Sequence, residues 1–249
     1  MKNTSCKPKY KINTKNWFNR WSNQYDQTLG RISFHRELLN LVVKVSEVKD
    51  SDKVLDIGCG TGLLSLKLLQ KSDCSITGID ISEEMLAIFK DKIKKLGLNQ
   101  KIDCRLMDID SLNFKNDTFD VAVSSVVLHH LNDKLRVLKK IYKLLKPSGV
   151  FVIGEIDMDS TGSYTNVKRL KGMLRALEQE WISALKDVGI KAFTKMYNNG
   201  IKHILNQGEY CVSLKQWAEV CRKAGFGSVI VKRVSGYKYF GVVVAKKLK

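Results

Sequence analysis

The chain has 249 residues, 44% of them hydrophobic, enough for one sizeable α/β domain with a modest insert and a core that stands without covalent staples. Its longest apolar runs, such as Val121 to Leu128, are strand-length and far short of the ~20 residues that cross a bilayer. The basic N-terminus is followed by no apolar stretch, so it does not read as a secretory signal, and a cytoplasmic protein is expected.

From Asp52 onward, short β-rich runs alternate with longer segments of helical period, the pattern of a parallel sheet wrapped by helices. The spacing predicts strands at Val54 to Asp56, Ser75 to Ile79, Ile102 to Met107, Val121 to Ser124 and Val150 to Gly154. Between them lie helices: Thr61 to Lys71, a second capped by Ser82 and ended by Gly97, and a third from Asn132 or Asp133 to Leu145, stopped at Lys146-Pro147. After Glu155 the alternation breaks, and residues 157–212 read as a mainly helical insert. Ser213-Leu-Lys-Gln216 is a capping box that opens a helix closed by Gly225, and Ser228 to Val234 with Tyr239 to Ala245 form an antiparallel pair around Ser235-Gly236-Tyr237.

The first strand runs into Gly58-Cys59-Gly60-Thr61-Gly62, a G-x-G-x-G loop rather than the G-x-G-x-x-G of dinucleotide sites, and it lacks the Lys-Ser/Thr of a P-loop. Asp56 at its mouth would repel a pyrophosphate but suits a ligand bearing an ammonium group. Asp80 ends the second strand, where a carboxylate accepts from both ribose hydroxyls, and Asp108 in LMDID ends the third, placed to meet an adenine amino group. Three acids at successive strand ends describe a pocket for an adenosine with a cationic amino-acid tail, which is S-adenosylmethionine. Each acid alone reads as a helix cap or turn residue.

VLDIGCGTG, GIDIS, MDID, FDVAVSSVVLHHL and LLKPSGVFVIGE together resemble successive motifs of the class I S-adenosylmethionine-dependent methyltransferases, closest to the subgroup with the ubiquinone and menaquinone C-methyltransferases. The resemblance covers roughly residues 50–155. It implies an α/β, Rossmann-like, doubly wound seven-stranded sheet of order 3-2-1-4-5-7-6, mostly parallel with an antiparallel C-terminal strand, and a helical insert or lid. It also implies a division into an N-terminal helical lid segment (1–50), a methyltransferase domain (51–156 and 213–249) and an insert (157–212) that forms part of the substrate pocket. By the same resemblance Asp56, Gly58 and Gly60 are methionine-side contacts, Asp80 with Ile81 ribose and adenine contacts, Asp108 with Ile109 flank the adenine, and Cys59 and Met85 are further cofactor-binding candidates. Ser124 and Val126 would stand beside the sulfonium, and Tyr25 in NQYDQ matches the tyrosine that folds over the cofactor, with Arg31 and Arg36 as further lid candidates.

The reaction implied is in-line methyl displacement, in which alignment and exclusion of water matter most. If the acceptor carries a proton, His129 is the first candidate base, with Glu155 nearby as the other, and His130 reads as a packing or substrate residue. In the insert Trp181, Phe193, Tyr197, His203, Glu209 and Tyr210 are candidates for substrate contact, and core packing explains Trp181 and Phe193 equally well. The six cysteines lack metal-ligand spacing and read as reduced thiols, so no metal is expected.

The net charge of +18 is uneven: residues 1–24 carry +6, residues 25–185 only +2 and residues 186–249 +10. Two substrate readings follow. A small-molecule acceptor is expected if the lysines merely cover solvated faces, and tRNA or rRNA is the alternative if the basic ends are a binding footprint. The motifs for methylating an exocyclic amino group (N/D-P-P-aromatic) or cytosine C5 (Pro-Cys) are missing, which argues against those two nucleic-acid chemistries. An accessory protein that binds the cofactor without catalysis is a third reading, opposed by the intact cofactor motifs.

Overall fold

The computed structural model describes residues 9–161, 165–202 and 210–249. Strands β1 (Lys53–Ile57), β2 (Ser75–Asp80), β3 (Ile102–Leu106), β4 (Phe119–Ser125), β5 (Leu145–Ile156), β6 (Ser228–Val234) and β7 (Tyr237–Lys246) form one sheet of order β3-β2-β1-β4-β5-β7-β6. The first five pair in parallel, and β7 runs antiparallel to both β5 and β6. The sheet is the one expected from the sequence. The strand ends differ at β5, which begins at Leu145 because Leu145 already pairs with Phe119 before a register shift.

Successive strand residues feed opposite faces, so the sheet carries two cores. Val54, Val121, Val123, Val152 and Val242 face one side with α2 (Ser33–Ser46) and α4 (Glu83–Lys95). Leu55, Ala122, Phe151, Ile153 and Val243 face the other, with α5 (Lys134–Leu144) and α8 (Leu214–Ala224). In α2, Phe34, Leu38 and Val42 recur at helical spacing, are fully buried, and set Phe34 on Phe240 of β7 with ring centroids 4.2 Å apart.

The helix ends follow local chemistry. Ser82 Oγ accepts from Met85 N at 3.2 Å to cap α4, whose first turn carries Glu83 and Glu84. Ser213 and Gln216 form the reciprocal capping box of α8, and Gly225 ends it in the left-handed region. The insert folds as α6 (Val167–Asp187) and α7 (Ile190–Asn199), packed as a hairpin across Gly189.

Helix α1 (Lys9–Thr28) packs beside α4, at the carboxyl ends of the parallel strands. Asn19 Oδ1 accepts from Ser82 Oγ at 2.6 Å, Lys15 pairs with Glu83 at 2.9 Å, and Asp26 takes Thr61 Oγ1 at 2.6 Å and Lys92 Nζ at 2.5 Å. These bonds fasten α1 to α4 and, through Thr61, to the glycine loop that precedes α3 (Leu63–Leu69).

Candidate active site

A cavity opens where β1, β2 and β4 end. Its floor is Gly58 and Gly60 of the first loop, its sides Asp80, Ile81 and Met85 after β2 and Asp108 and Ile109 after β3, and its roof Phe18 and Tyr25 of α1. Nine of the twelve cofactor residues named from the sequence line it: these eight without Phe18, plus Val126. Gly58 holds φ +72°, and a Cβ there would meet Val127 at 2.5 Å, so the close approach needs glycine.

Asp80 is held for its task. Its Oδ2 accepts from Gly60 N at 2.9 Å and its Oδ1 from Ser82 N at 2.8 Å, which fixes the carboxylate at the cavity wall. Burial raises its pKa, against the lowering effect of those N–H groups. Asp108 caps a short 3-10 turn, accepting from Asp110 N at 3.0 Å. The Tyr25 hydroxyl is pushed up by burial and by the charges of Asp80 and Asp26, and so stays a neutral donor.

The other three cofactor candidates sit elsewhere. Asp56 and Cys59 line a small adjoining recess with His35, Thr61 and Ser125. Asp56 is buried, accepts from Ser65 Oγ at 2.6 Å, and is pushed up to about 7, first by burial. Ser124 is a correction: it is fully buried and donates to Ile57 O at 2.9 Å, because strand alternation turns it inward and leaves Ser125 to face the recess.

A second cavity adjoins the first and shares Phe18, Tyr25, Val126 and His130 with it. Trp17, Trp21, Leu29 and Phe34 wall it from the N-terminal helices, His129 and Ile156 from the sheet, and Glu180, Met196, Asn199 and Gly200 from the insert. Val126, at the junction, holds φ +56°, a strained conformation for a β-branched residue.

His129 lines this second cavity, and its Nδ1 is 2.8 Å from Glu155 Oε2. Glu155 Oε1 accepts from the backbone N–H groups of Val127, Leu128 and His129 at 3.1, 2.9 and 3.3 Å. An acceptor so used fixes Nδ1–H as the donor and puts the imidazole lone pair on Nε2. Glu155 itself is buried and lines neither cavity, so its place as an alternative base is corrected to that of an anchor.

The insert candidates stand apart from these two cavities or outside the described residues. Trp181 packs on Tyr197 at a tilt of 57° with centroids 4.7 Å apart and donates to Met196 O, Phe193 stacks on Tyr197, and none of the three lines either of these two cavities. Tyr210 donates its N–H to His129 O at 3.0 Å and presents its ring to Lys134, again outside both cavities. His203 and Glu209 lie outside the described residues. Arg31 and Arg36 are exposed and line no cavity described here. Sequence reasoning missed Phe18, Trp17 and Trp21, although aromatics at 17, 18, 21 and 25 share helical spacing and were there to be read.

Residues 55–153 match the family model described as a methyltransferase domain. The demethylmenaquinone methyltransferase of Bacillus subtilis is 34% identical over 132 residues, 51% of this chain and 56% of that protein. The matched residues form a methyltransferase domain of the class I S-adenosylmethionine-dependent kind. The demethylmenaquinone methyltransferase of Lysinibacillus sphaericus is 27% identical over 219 residues, covering 86% of this chain and 88% of its own. Against the relatives from Bacillus cytotoxicus, Schizosaccharomyces pombe and Protochlamydia amoebophila the chain spans 48–60% of the relative's length. The Burkholderia thailandensis 1,6-didemethyltoxoflavin-N1-methyltransferase, solved with 1,6-didemethyltoxoflavin and S-adenosylhomocysteine, superposes with TM-score 0.65 at 16% identity, covering 100% of this chain and 93% of its own. The residues present fit the family's cofactor: a Cβ-free cradle at Gly58, a buried carboxylate at Asp56 and a fixed one at Asp80.

Proposed function

We propose that this protein transfers a methyl group to a small organic acceptor, with S-adenosylmethionine in the first cavity and the acceptor in the second. The observation that carries this is the junction of the two cavities at Val126 and His130. Bound in the first, S-adenosylmethionine supplies an electrophilic methyl group on a sulfonium.

The chain's own residues do the rest. Asp56 holds the ammonium end, Asp80 the ribose and Asp108 the adenine, while Phe18 and Tyr25 exclude water as a lid that Asp26 and Asn19 fasten. Displacement in line asks for alignment, which the rigid Val126 corner and the ring of His130 provide. For a protic acceptor His129 Nε2 takes the proton, with Glu155 holding the ring. In this reading residues 1–50 act as lid, 51–156 with 213–249 as the methyltransferase domain, and 157–212 as part of the acceptor pocket. The support is that α1 roofs the first cavity and Met196 and Asn199 line the second. Free thiols at Cys59, Cys74, Cys104, Cys211 and Cys221 suit a reducing cytoplasm, and no described helix is long and apolar enough to cross a membrane.

The test is transfer of a labelled methyl group from S-adenosylmethionine into host extract separated into small-molecule, RNA and protein fractions. Label in the small-molecule fraction is expected. Label in RNA would make the basic ends a binding footprint and overturn the acceptor reading.

A further inference from the structure

The outer face of the α6–α7 hairpin is apolar where a soluble helix is polar. Val167, Leu174, Ile182 and Leu185 of α6 and Ile190 of α7 are 41–65% exposed. At 100° per residue the four positions on α6 fall within one narrow sector of the helix, opposite the buried Met173, Ala176 and Ala184. Isolated exposed leucines need no account, but a stripe this long on one helix marks a contact surface.

The charges beside the stripe identify the partner. Lys168, Arg175 and Lys186 are exposed along one flank of it, Lys171 lies within it, and Lys191 follows Ile190 at the closed end of the hairpin. Glu178 also lies within the stripe, so α6 sets four cations against one acid there, while Asp187 sits on the opposite side of α6 and accepts from the Ser33 N–H at 2.6 Å. A groove beside α6, lined by Arg175, Lys186, Glu178, Gln179 and Tyr237, sets two cations against one acid and adds hydrogen-bonding groups next to Ile182. An apolar stripe with a basic flank is the pattern of a helix lying in a bilayer interface, where apolar burial and attraction to anionic headgroups act together.

We propose that the outer face of the α6–α7 hairpin docks on an anionic membrane surface. The structure keeps this face independent of the methyl-transfer site, because Met196 and Asn199 line the second cavity from the hairpin's other side.

The test is cosedimentation of the full chain with vesicles of phosphatidylglycerol and phosphatidylcholine, or of phosphatidylcholine alone, at low salt and at 0.5 M salt. The expected result is binding to the anionic vesicles, at least tenfold weaker on neutral ones, and several-fold weaker at high salt. The Ile182→Asp, Leu185→Asp double variant should lose binding at least tenfold while its melting temperature and S-adenosylmethionine affinity hold. Absence of binding to anionic vesicles, or binding untouched by the double variant, overturns the proposal. So does a dimer in solution that this variant disperses, since the stripe would then face a second copy. None of these readouts depends on turnover, so they fail separately from the methyltransferase reading.

Discussion

His129 Nδ1 and Glu155 Oε2 stand 2.8 Å apart in a pair buried at the end of β5, and the other oxygen of Glu155 gathers three successive backbone N–H groups. The carboxylate thus shapes the Leu128–His130 turn and orients the imidazole at once. Glu155→Gln exchanges one acceptor oxygen for a donor NH2, so a buried N–H or the ring loses its partner. A loss of about 2–3 kcal/mol is expected, a fall in melting temperature of roughly 5–10 °C. His129→Asn should melt closer to the parent yet lose about 100-fold or more in turnover with a protic acceptor, at unchanged cofactor affinity. Full turnover by His129→Asn would show that no base acts there.

Asp80 is committed twice over, to Gly60 N and Ser82 N, before any ligand arrives. Hydrogen bonds to a charged acceptor are each worth about 1.5–3 kcal/mol, so losing two ribose contacts in Asp80→Ala should weaken S-adenosylmethionine binding about 100-fold or more. Isothermal titration measures it, with circular dichroism as a control for the fold. A change under about threefold would remove Asp80 from the ribose.

The strand-end acids and the glycine loop were legible because a parallel sheet places strand ends, loops and helix starts in a fixed order; Asp80, Ile81 and Met85 follow β2 directly onto the cavity wall. Ser124 was misread because the sequence gives a strand's alternation but not where its last residues turn, and one position decides between facing Ile57 O and facing the recess. The hairpin aromatics failed differently. Trp181 and Tyr197 satisfy each other at 4.7 Å, a pairing between two helices that no local pattern reveals, whereas the smaller Met196 and Asn199 reach the cavity. Glu155 was visible as an acid at a strand end, but its three backbone donors come from a loop 26–28 residues earlier.

Gly60 and Gly62 separate backbone strain from collision. Both hold positive φ, 52° and 86°, but a Cβ on Gly60 meets nothing within 4 Å while one on Gly62 lies 2.1 Å from the ring of Phe89. Phe89 is fully buried and has nowhere to move. Gly60→Ala should cost about 1 kcal/mol, roughly 2–4 °C in melting temperature. Gly62→Ala should cost about 3 kcal/mol or more, because overpacking is added to strain. Equal losses in the two variants, measured by thermal melts, would mean that the loop relaxes away from Phe89.

Asp56 makes the stability of the protein depend on pH in a direction opposite to that of an ordinary paired acid. Burial lifts its carboxyl from 3.8 to about 7, with Ser65 opposing and Asp80 adding to the rise. The folded chain therefore binds this proton more tightly than the unfolded chain, and this contribution falls as pH climbs from about 4 to 7, then levels. Asp56→Asn removes the slope, so its stability relative to the parent should grow by about 2–3 kcal/mol between pH 5 and pH 8. A cationic ammonium in the recess reverses the preference by favouring the ionised carboxylate. S-adenosylmethionine binding should then release a proton below pH 7 and tighten by up to about tenfold per unit between pH 5 and 7. Titration calorimetry in two buffers of different ionisation enthalpy reads that proton directly. If the parent and Asp56→Asn show the same pH dependence of affinity, the ammonium does not sit beside Asp56.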